Sequence, residues 1–447
     1  MAINGYAGRS LVAGCVFLLA SLTASAGTKH SPSSRFMSYE GRVMAGYQGW
    51  FRTPDDGSGN RWVHWGKRGR FDSEHVSIDL WPDVSDYPKT YETPFTLGNG
   101  ESARVFSSWD AGTVDTHFRW MKEHGIDGAF MQRFFRVTTT EERRREGRVI
   151  LGHALTAAER HQRAVAVMYD LSGIAPNGQD CASVIQDWKE IVDELKATSR
   201  SREQSYLYHR GKPLVAIWGL GFTGRDYDIR DIGVDKLIDF LRDDPEYGGC
   251  SILLGVPTHF RTLRADTRAD PYLHELMEKA DVVLPWMVGR FRTLEGRERE
   301  KFRSQVRDDL AWCRTRGLDY APCVYPGFSW HNLKGEESAL DHISRQGGRF
   351  FWEMIHGSVE SGAEMLYVAM FDEVDEGTAI FKLSHDAPTG NPPARFVDIG
   401  DVPSDHYLWL AGQGGRLLRG EIPADPELYR RTDPKTRDRE DVPEGNE

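Results

Sequence analysis

The run Met365-Leu366-Tyr367-Val368-Ala369-Met370-Phe371-Asp372-Glu373-Val374-Asp375-Glu376-Gly377-Thr378 decides how this chain reads. Its first half is apolar and β-rich, the pattern of a buried strand. Its second half places four carboxylates within five residues and then breaks at Gly377. Buried carboxylates are costly unless paired or hydrogen-bonded, so such a cluster belongs at a rim facing solvent or a ligand. Taken alone, the spacing favours a solvated acidic loop. Two acids held close, in surroundings that push their proton affinities apart, are also what glycoside hydrolysis requires.

Seven further apolar runs precede this one, at residues 43–50, 128–134, 164–170, 214–218, 251–256, 281–286 and 321–325. Amphipathic stretches separate several of them, at 113–124, 182–197, 234–241, 297–314 and 349–361. The first of these carries helix punctuation: Asp110 as N-cap, Val114, Phe118 and Met121 on one face, and Gly125 as the stop. Eight strands alternating with helices predict an α/β fold, a (β/α)8 TIM barrel with decorated loops, over residues 38–415. A doubly wound open sheet is the alternative, but no Gly-rich phosphate loop follows an early strand.

Barrel active sites gather at the C-terminal ends of the strands. Here those ends supply Gln48 and Trp50, Gln132 and Arg133, Asp170, Trp218, His259, Trp286, Tyr325, and Glu373 with Glu376. Nearly all are aromatic or hydrogen-bonding, which shifts the balance from an acidic loop to a carbohydrate pocket. Each has a blander reading. Trp218 and Trp286 also suit a barrel core, Asp170 equally suits the N-cap of the next helix, and Arg133 could offset acidic charge without touching a ligand.

Composition agrees with a globular protein, 39% hydrophobic and 28% charged, but with 13 Trp and 16 Tyr. The net charge of -11, with no basic run, argues against nucleic acid or an anionic membrane surface as partner. The N-terminus reads as an export signal: Arg9, an apolar stretch from Leu11 to Leu22, and Ala24-Ser25-Ala26 before Gly27. Val12-Ala13-Gly14-Cys15 is similar to a lipoprotein box, but the apolar run continues past it, so cleavage after Ala26 and a secreted or periplasmic protein are expected. No stretch qualifies as a membrane span. Cys181, Cys250, Cys313 and Cys323 lack metal-ligand spacing, and their pairing is left open. Asp55-Asp56-Gly57-Ser58-Gly59-Asn60 falls short of a calcium loop, so neither metal nor cofactor is expected. Residues 27–37 read as a flexible leader and residues 416–447 as a charged, disordered tail.

Three motifs in consistent order, across roughly residues 40–385, resemble glycoside hydrolase family 99 and its neighbour family 71. Asp372 to Thr378 is similar to the family run Asn-Glu-Trp-His-Glu-Gly-Thr, with Val374-Asp375 replacing Trp-His. Phe106-Ser107-Ser108-Trp109-Asp110, then His117, Met121 and Gly125-Ile126-Asp127, resembles a Tyr-Ser-Ser-x-Asp run and the entry to strand two. Tyr47, Trp50, Trp62, His64 and Trp65 resemble the family's first strand and its Trp-x-His-Trp loop. The resemblance implies a (β/α)8 enzyme cleaving α-mannosidic linkages with retention. Glu376 would be general acid/base, and Glu373 the base at the sugar 2-hydroxyl, through a 1,2-anhydro sugar. The expected substrate contacts are Tyr47, Trp50, His64, Trp65, Gln132, Arg133, Asp170, Trp218, Trp286, Tyr325 and Asp372. The expected function is a secreted glycosidase on α-linked, mannan-like or glucan-like oligo- or polysaccharide. The alternatives are a non-catalytic carbohydrate-binding barrel and a glycosidase of xylan or arabinan specificity. A glycosyltransferase is a weaker third, since activated sugar donors are mainly cytosolic.

Overall fold

A computed structural model describes Met1 and residues 27–431, other than 177, 202, 336, 391 and 392. The expected export signal lies outside the described residues, apart from Met1, and so does the tail beyond residue 431.

The fold is a (β/α)8 barrel. Its strands in chain order are Val43–Tyr47, Gly128–Phe134, Ala164–Asp170, Lys212–Trp218, Ser251–Pro257, Val282–Trp286, a broken seventh, and Leu366–Val368. All pair in parallel with their neighbours, and the first closes on the eighth in the register Val43 to Leu366. The seventh strand is split in two. Asp319–Tyr320 pairs with strand six and Cys323–Val324 with strand eight, with Pro322 between them. Proline has no N–H to give a ladder; the Pro322 carbonyl still accepts from Tyr367 N.

Large side chains fill the barrel. Tyr39, Phe130 and Tyr367 pack in sequence along its axis, with ring centroids 5.5 and 5.7 Å apart. Gly46 makes room for them, since a Cβ there would lie 2.2 Å from the Tyr367 hydroxyl. Around the sheet, helix Ala111–His124 buries Val114, Phe118 and Met121 and ends at Gly125 in the left-handed region. Asp110 occupies its N-cap position without making a side-chain cap; the carboxylate instead takes Lys89 and Tyr91.

Helix Glu141–His161 is the principal element that periodicity missed. It is capped by Thr140 and carries Glu141 and Glu142 in its first turn, a favourable dipole arrangement. Arg144 and Arg148 tie it to Glu190. A second omission is the hairpin Tyr91–Thr96 and Ser102–Val105. It belongs to an aromatic lobe between the first strand and first helix, which absorbs much of the Trp excess: Trp65, Phe71, Trp81 and Phe95 pack there.

Both ends of the described chain depart from the sequence reading. The stretch expected as a flexible leader is bound to the barrel. Lys29 meets Asp193 and Glu246, His30 meets Thr198, and Phe36 is buried. The stretch expected as tail begins inside helix His406–Leu418, whose Gly412 approaches the His124 carbonyl too closely for any Cβ. Beyond it, Asp425 O accepts from Trp352 Nε1, and Arg431 pairs with Asp405. Cys181, Cys250, Cys313 and Cys323 are buried free thiols. Among the described residues, no helix is long and apolar enough to cross a membrane.

Candidate active site

Strand eight delivers its acids into a network that fixes each differently. Phe371 anchors the turn, stacked at 5.8 Å on Tyr47. Asp372 is fully buried and accepts from the backbone N–H groups of Gln48 (2.8 Å) and Gly49 (2.9 Å), joining the ends of strands one and eight. Burial, against those two bonds, pushes its carboxyl up to about 7.

Glu373 accepts from Gln48 Nε2 on one oxygen and from the Thr378 hydroxyl on the other, both at 2.6 Å. The Gly-Thr pair after Glu376 thereby acquires a physical reason. Gly377 adopts φ 64° with no room for a Cβ against Ser329, and the tight turn swings Thr378 back onto Glu373. Asp375 turns away and bonds His64 Nδ1 at 2.8 Å; the His64 ring lies flat on Trp50, centroids 3.7 Å apart.

Among the described residues, Glu376 alone of the four has no hydrogen bond to its carboxylate, and it is partly exposed to the cleft. Burial first, then the charge of Asp375, pushes it up to about 7. Burial and the negative Glu376 and Asp375 raise Glu373 well above the carboxylate range. The two glutamates therefore titrate as a pair that holds one proton near neutrality. Two donors on Glu373 favour the charge there.

The cleft has two connected parts. The inner part, of about 340 Å³, is lined by Trp50, Gln132, Asp170, Trp218, Trp286 and both glutamates. The outer part, of about 700 Å³, shares Trp218, Trp286 and Glu376 and continues past Phe328 and Trp330. Gln132 forms part of the floor, donating to the Tyr367 hydroxyl at 2.9 Å. Asp170 accepts from Ser172 N, and burial pushes it up to about 6. Trp218 and Trp286 meet edge to face at 5.2 Å. Apolar walls with a few convergent polar groups are what an enclosed ligand site requires.

Six expected contacts lie off the cleft lining: His64, stacked on Trp50 and bonded to Asp375, and five others. Tyr47 is buried behind the sheet on His117, with its hydroxyl 2.8 Å from Nδ1. Trp65 is in the aromatic lobe, 4.5 Å from Phe51. Arg133 points outward and clasps Asp187 with two bonds, one of them 2.7 Å long. Tyr325 spends its hydroxyl on Phe291 O at 2.6 Å. Asp372 lies under the site and orders it. At the strand ends the cause is alternation: successive strand residues point to opposite faces, so Gln132 and Asp170 face the cleft while Arg133 and Tyr169 face the helices; Trp65 and Asp372 lie outside the strands. Phe134, Arg225 and Trp330 line the cleft without having been singled out. The last two lie on loops, where no periodicity marks them, although Phe134 follows Gln132 by the two residues that keep a face.

No family profile and no curated protein matches the sequence. Among solved structures, the GH99 endo-α-mannosidase from Bacteroides thetaiotaomicron in complex with BIS-TRIS propane is similar, with a TM-score of 0.58 at 15% identity, covering 86% of this chain and 99% of that one. A second structure of the GH99 endo-α-mannosidase from that organism gives a TM-score of 0.57 with the same identity and coverage. At such identity the likeness speaks for the fold. The chain has the (β/α)8 fold of the GH99 endo-α-mannosidases.

Proposed function

We propose that this protein is an exported glycoside hydrolase that cleaves α-linked glycans, mannan-like or glucan-like, with retention. The observation that carries the reading is the Glu373 and Glu376 pair. These two carboxyls face an aromatic-walled cleft at the C-terminal end of a barrel strand, with no cation among the described residues bonded to either and with both proton affinities raised. A protein that only bound sugar would have little need for so costly a pair. Export rests on the pattern of Arg9, the apolar run and Ala24-Ser25-Ala26.

In this mechanism, Glu376 gives its proton to the glycosidic oxygen as that bond to the anomeric carbon breaks. Glu373 takes the proton from the sugar 2-hydroxyl, whose oxygen closes on the same carbon to form a 1,2-anhydro sugar. Water then opens that ring; Glu376 accepts the water proton and Glu373 returns its own to the 2-oxygen. Two inversions give net retention, and both acids return to their starting states. Gln48 and Thr378 donate to Glu373, bonds that favour the ionised form the first step needs.

The test is reducing-sugar release from α-mannans, α-glucans and arabinoxylans, with Glu376→Gln alongside. Release by the native protein and loss of about 10³-fold or more in the variant, with glycan binding kept, is the expected outcome. Equal turnover by the two proteins overturns the assignment of Glu376. Glycan binding without release from any substrate favours a lectin-like barrel.

A further inference from the structure

We infer that the outer part of the cleft is a subsite for an anionic substituent on the glycan, held by Arg225 and Arg292. The inference rests on the glycosidase reading for the position of the scissile bond, but its chemistry comes from a different set of residues.

The chain is acidic overall, with a net charge of -11, yet beyond Glu376 the lining of the outer part includes Arg225, Arg290 and Arg292. Arg290 is engaged, its Nε donating to Asp266 at 2.7 Å. The other two are not. Arg225 lies over Trp218 and Phe222, 5.0 and 5.5 Å from the ring centroids; its charge acts on Asp170 and Glu376, but among the described residues it makes no ion pair, and its Nε is buried without a partner. Arg292 is exposed at the rim and has no partner among the described residues. The acids on this wall are Glu376 and the exposed Glu337.

A guanidinium stacked on an aromatic ring is weakly hydrated and presents a planar fork of donors. Leaving a buried donor unpaired costs free energy that a neutral hydroxyl recovers only partly. A carboxylate, sulfate ester or phosphate ester matches the fork and forms charge-assisted bonds. The three share one chemistry, and matched sugars separate them.

Binding is followed through tryptophan fluorescence, since Trp218, Trp286 and Trp330 line this space. The probes are glucuronate against glucose, galactose 6-sulfate against galactose, and mannose 6-phosphate against mannose, at low salt. In at least one pair the anionic sugar should bind about tenfold more tightly. Which pair responds identifies the substituent. The preference should shrink toward parity at about 1 M salt and vanish in Arg225→Met/Arg292→Ala. Should that double variant misfold, Arg292→Ala at the exposed rim suffices, with a loss of about threefold in the anionic sugar alone. Parity in every pair, or a preference that survives the double variant, overturns the subsite. Because the probes are not cleaved, failure here leaves hydrolysis of neutral glycans standing, and failure of hydrolysis leaves the anion preference to be read by itself.

Discussion

Two strand ends at the mouth of this barrel carry buried charge and treat it in opposite ways. At the end of strand two, Arg133 is matched to Asp187, which also accepts from the Tyr169 hydroxyl at 2.9 Å. Every charge there has a partner, and the cluster faces helices instead of the cleft. At the end of strand eight, Asp372, Glu373 and Glu376 stand together without any cation in salt-bridge contact among the described residues, and Asp375 has only His64 among them. Burial is similar at the two ends. What differs is compensation. A neutralised pair holds the fold in place, whereas an uncompensated set of carboxyls is destabilising and is tolerated where it faces a ligand.

This contrast separates what substitutions should do. The largest effect on turnover falls on Glu376, as set out above. The largest effect on folding falls on strand two: Asp187→Ala strands the Arg133 guanidinium in the interior and should cost about 3–5 kcal/mol in urea unfolding. A loss below about 1 kcal/mol would show that the pair is not what stabilises this wall. Glu376→Gln should move stability the other way. A carboxyl raised in the folded state to about 7 keeps its proton while the unfolded chain has already lost its own near 4.5. The folded state therefore loses stability as pH rises from about 4.5 through 7. Removing that group should stabilise the protein at pH 8 by about 1–3 kcal/mol, allowing for its partial exposure. Little change is expected at pH 4. Thermal melts at the two values check the sign, and a variant less stable at pH 8 would break the comparison. Activity should also fall above pH about 7 as Glu376 loses its proton, which a pH profile of kcat/KM reads directly.

The parts legible from sequence are those in which local pattern and tertiary role coincide. Strands 128–134 and 164–170 were read with their observed bounds because both faces are buried and the runs are wholly apolar until their ends. Helix Glu141–His161 opens with Glu141-Glu142-Arg143-Arg144-Arg145-Glu146, a charged run whose structure depends on Glu190 across the interface, which no local window contains. Residues 29–36 and 419–431 are polar in composition but order through long-range partners such as Asp193, Trp352 and Asp405. At the site, Glu373 and Glu376 stood out because acids after a buried strand are locally improbable. Their neighbours were harder to sort. Tyr47, Arg133 and Tyr325 occupy strand ends just as Gln132 and Trp218 do, and only the face of the strand distinguishes them.

The smallest predicted effect tests how the proton is divided within the pair. Gln48 supplies one of the two side-chain bonds on Glu373, and Thr378 supplies the other. A hydrogen bond to a charged group contributes about 1.5–3 kcal/mol, and a shift of one pH unit corresponds to about 1.4 kcal/mol. Gln48→Leu should therefore raise the proton affinity of Glu373 and move the acid limb of the kcat/KM profile upward by about one unit. Because Gln48 N, bonded to Asp372, is backbone and stays in place, the turn should keep its shape. The alkaline limb, set by Glu376, should move much less. If both limbs shifted together, the variant would be acting on the pair as a whole, and the charge would not be localised on Glu373. If neither moved, the donors on Glu373 would serve only to orient it, and the open exposure of Glu376 to the cleft would be left as the sole difference between the two acids.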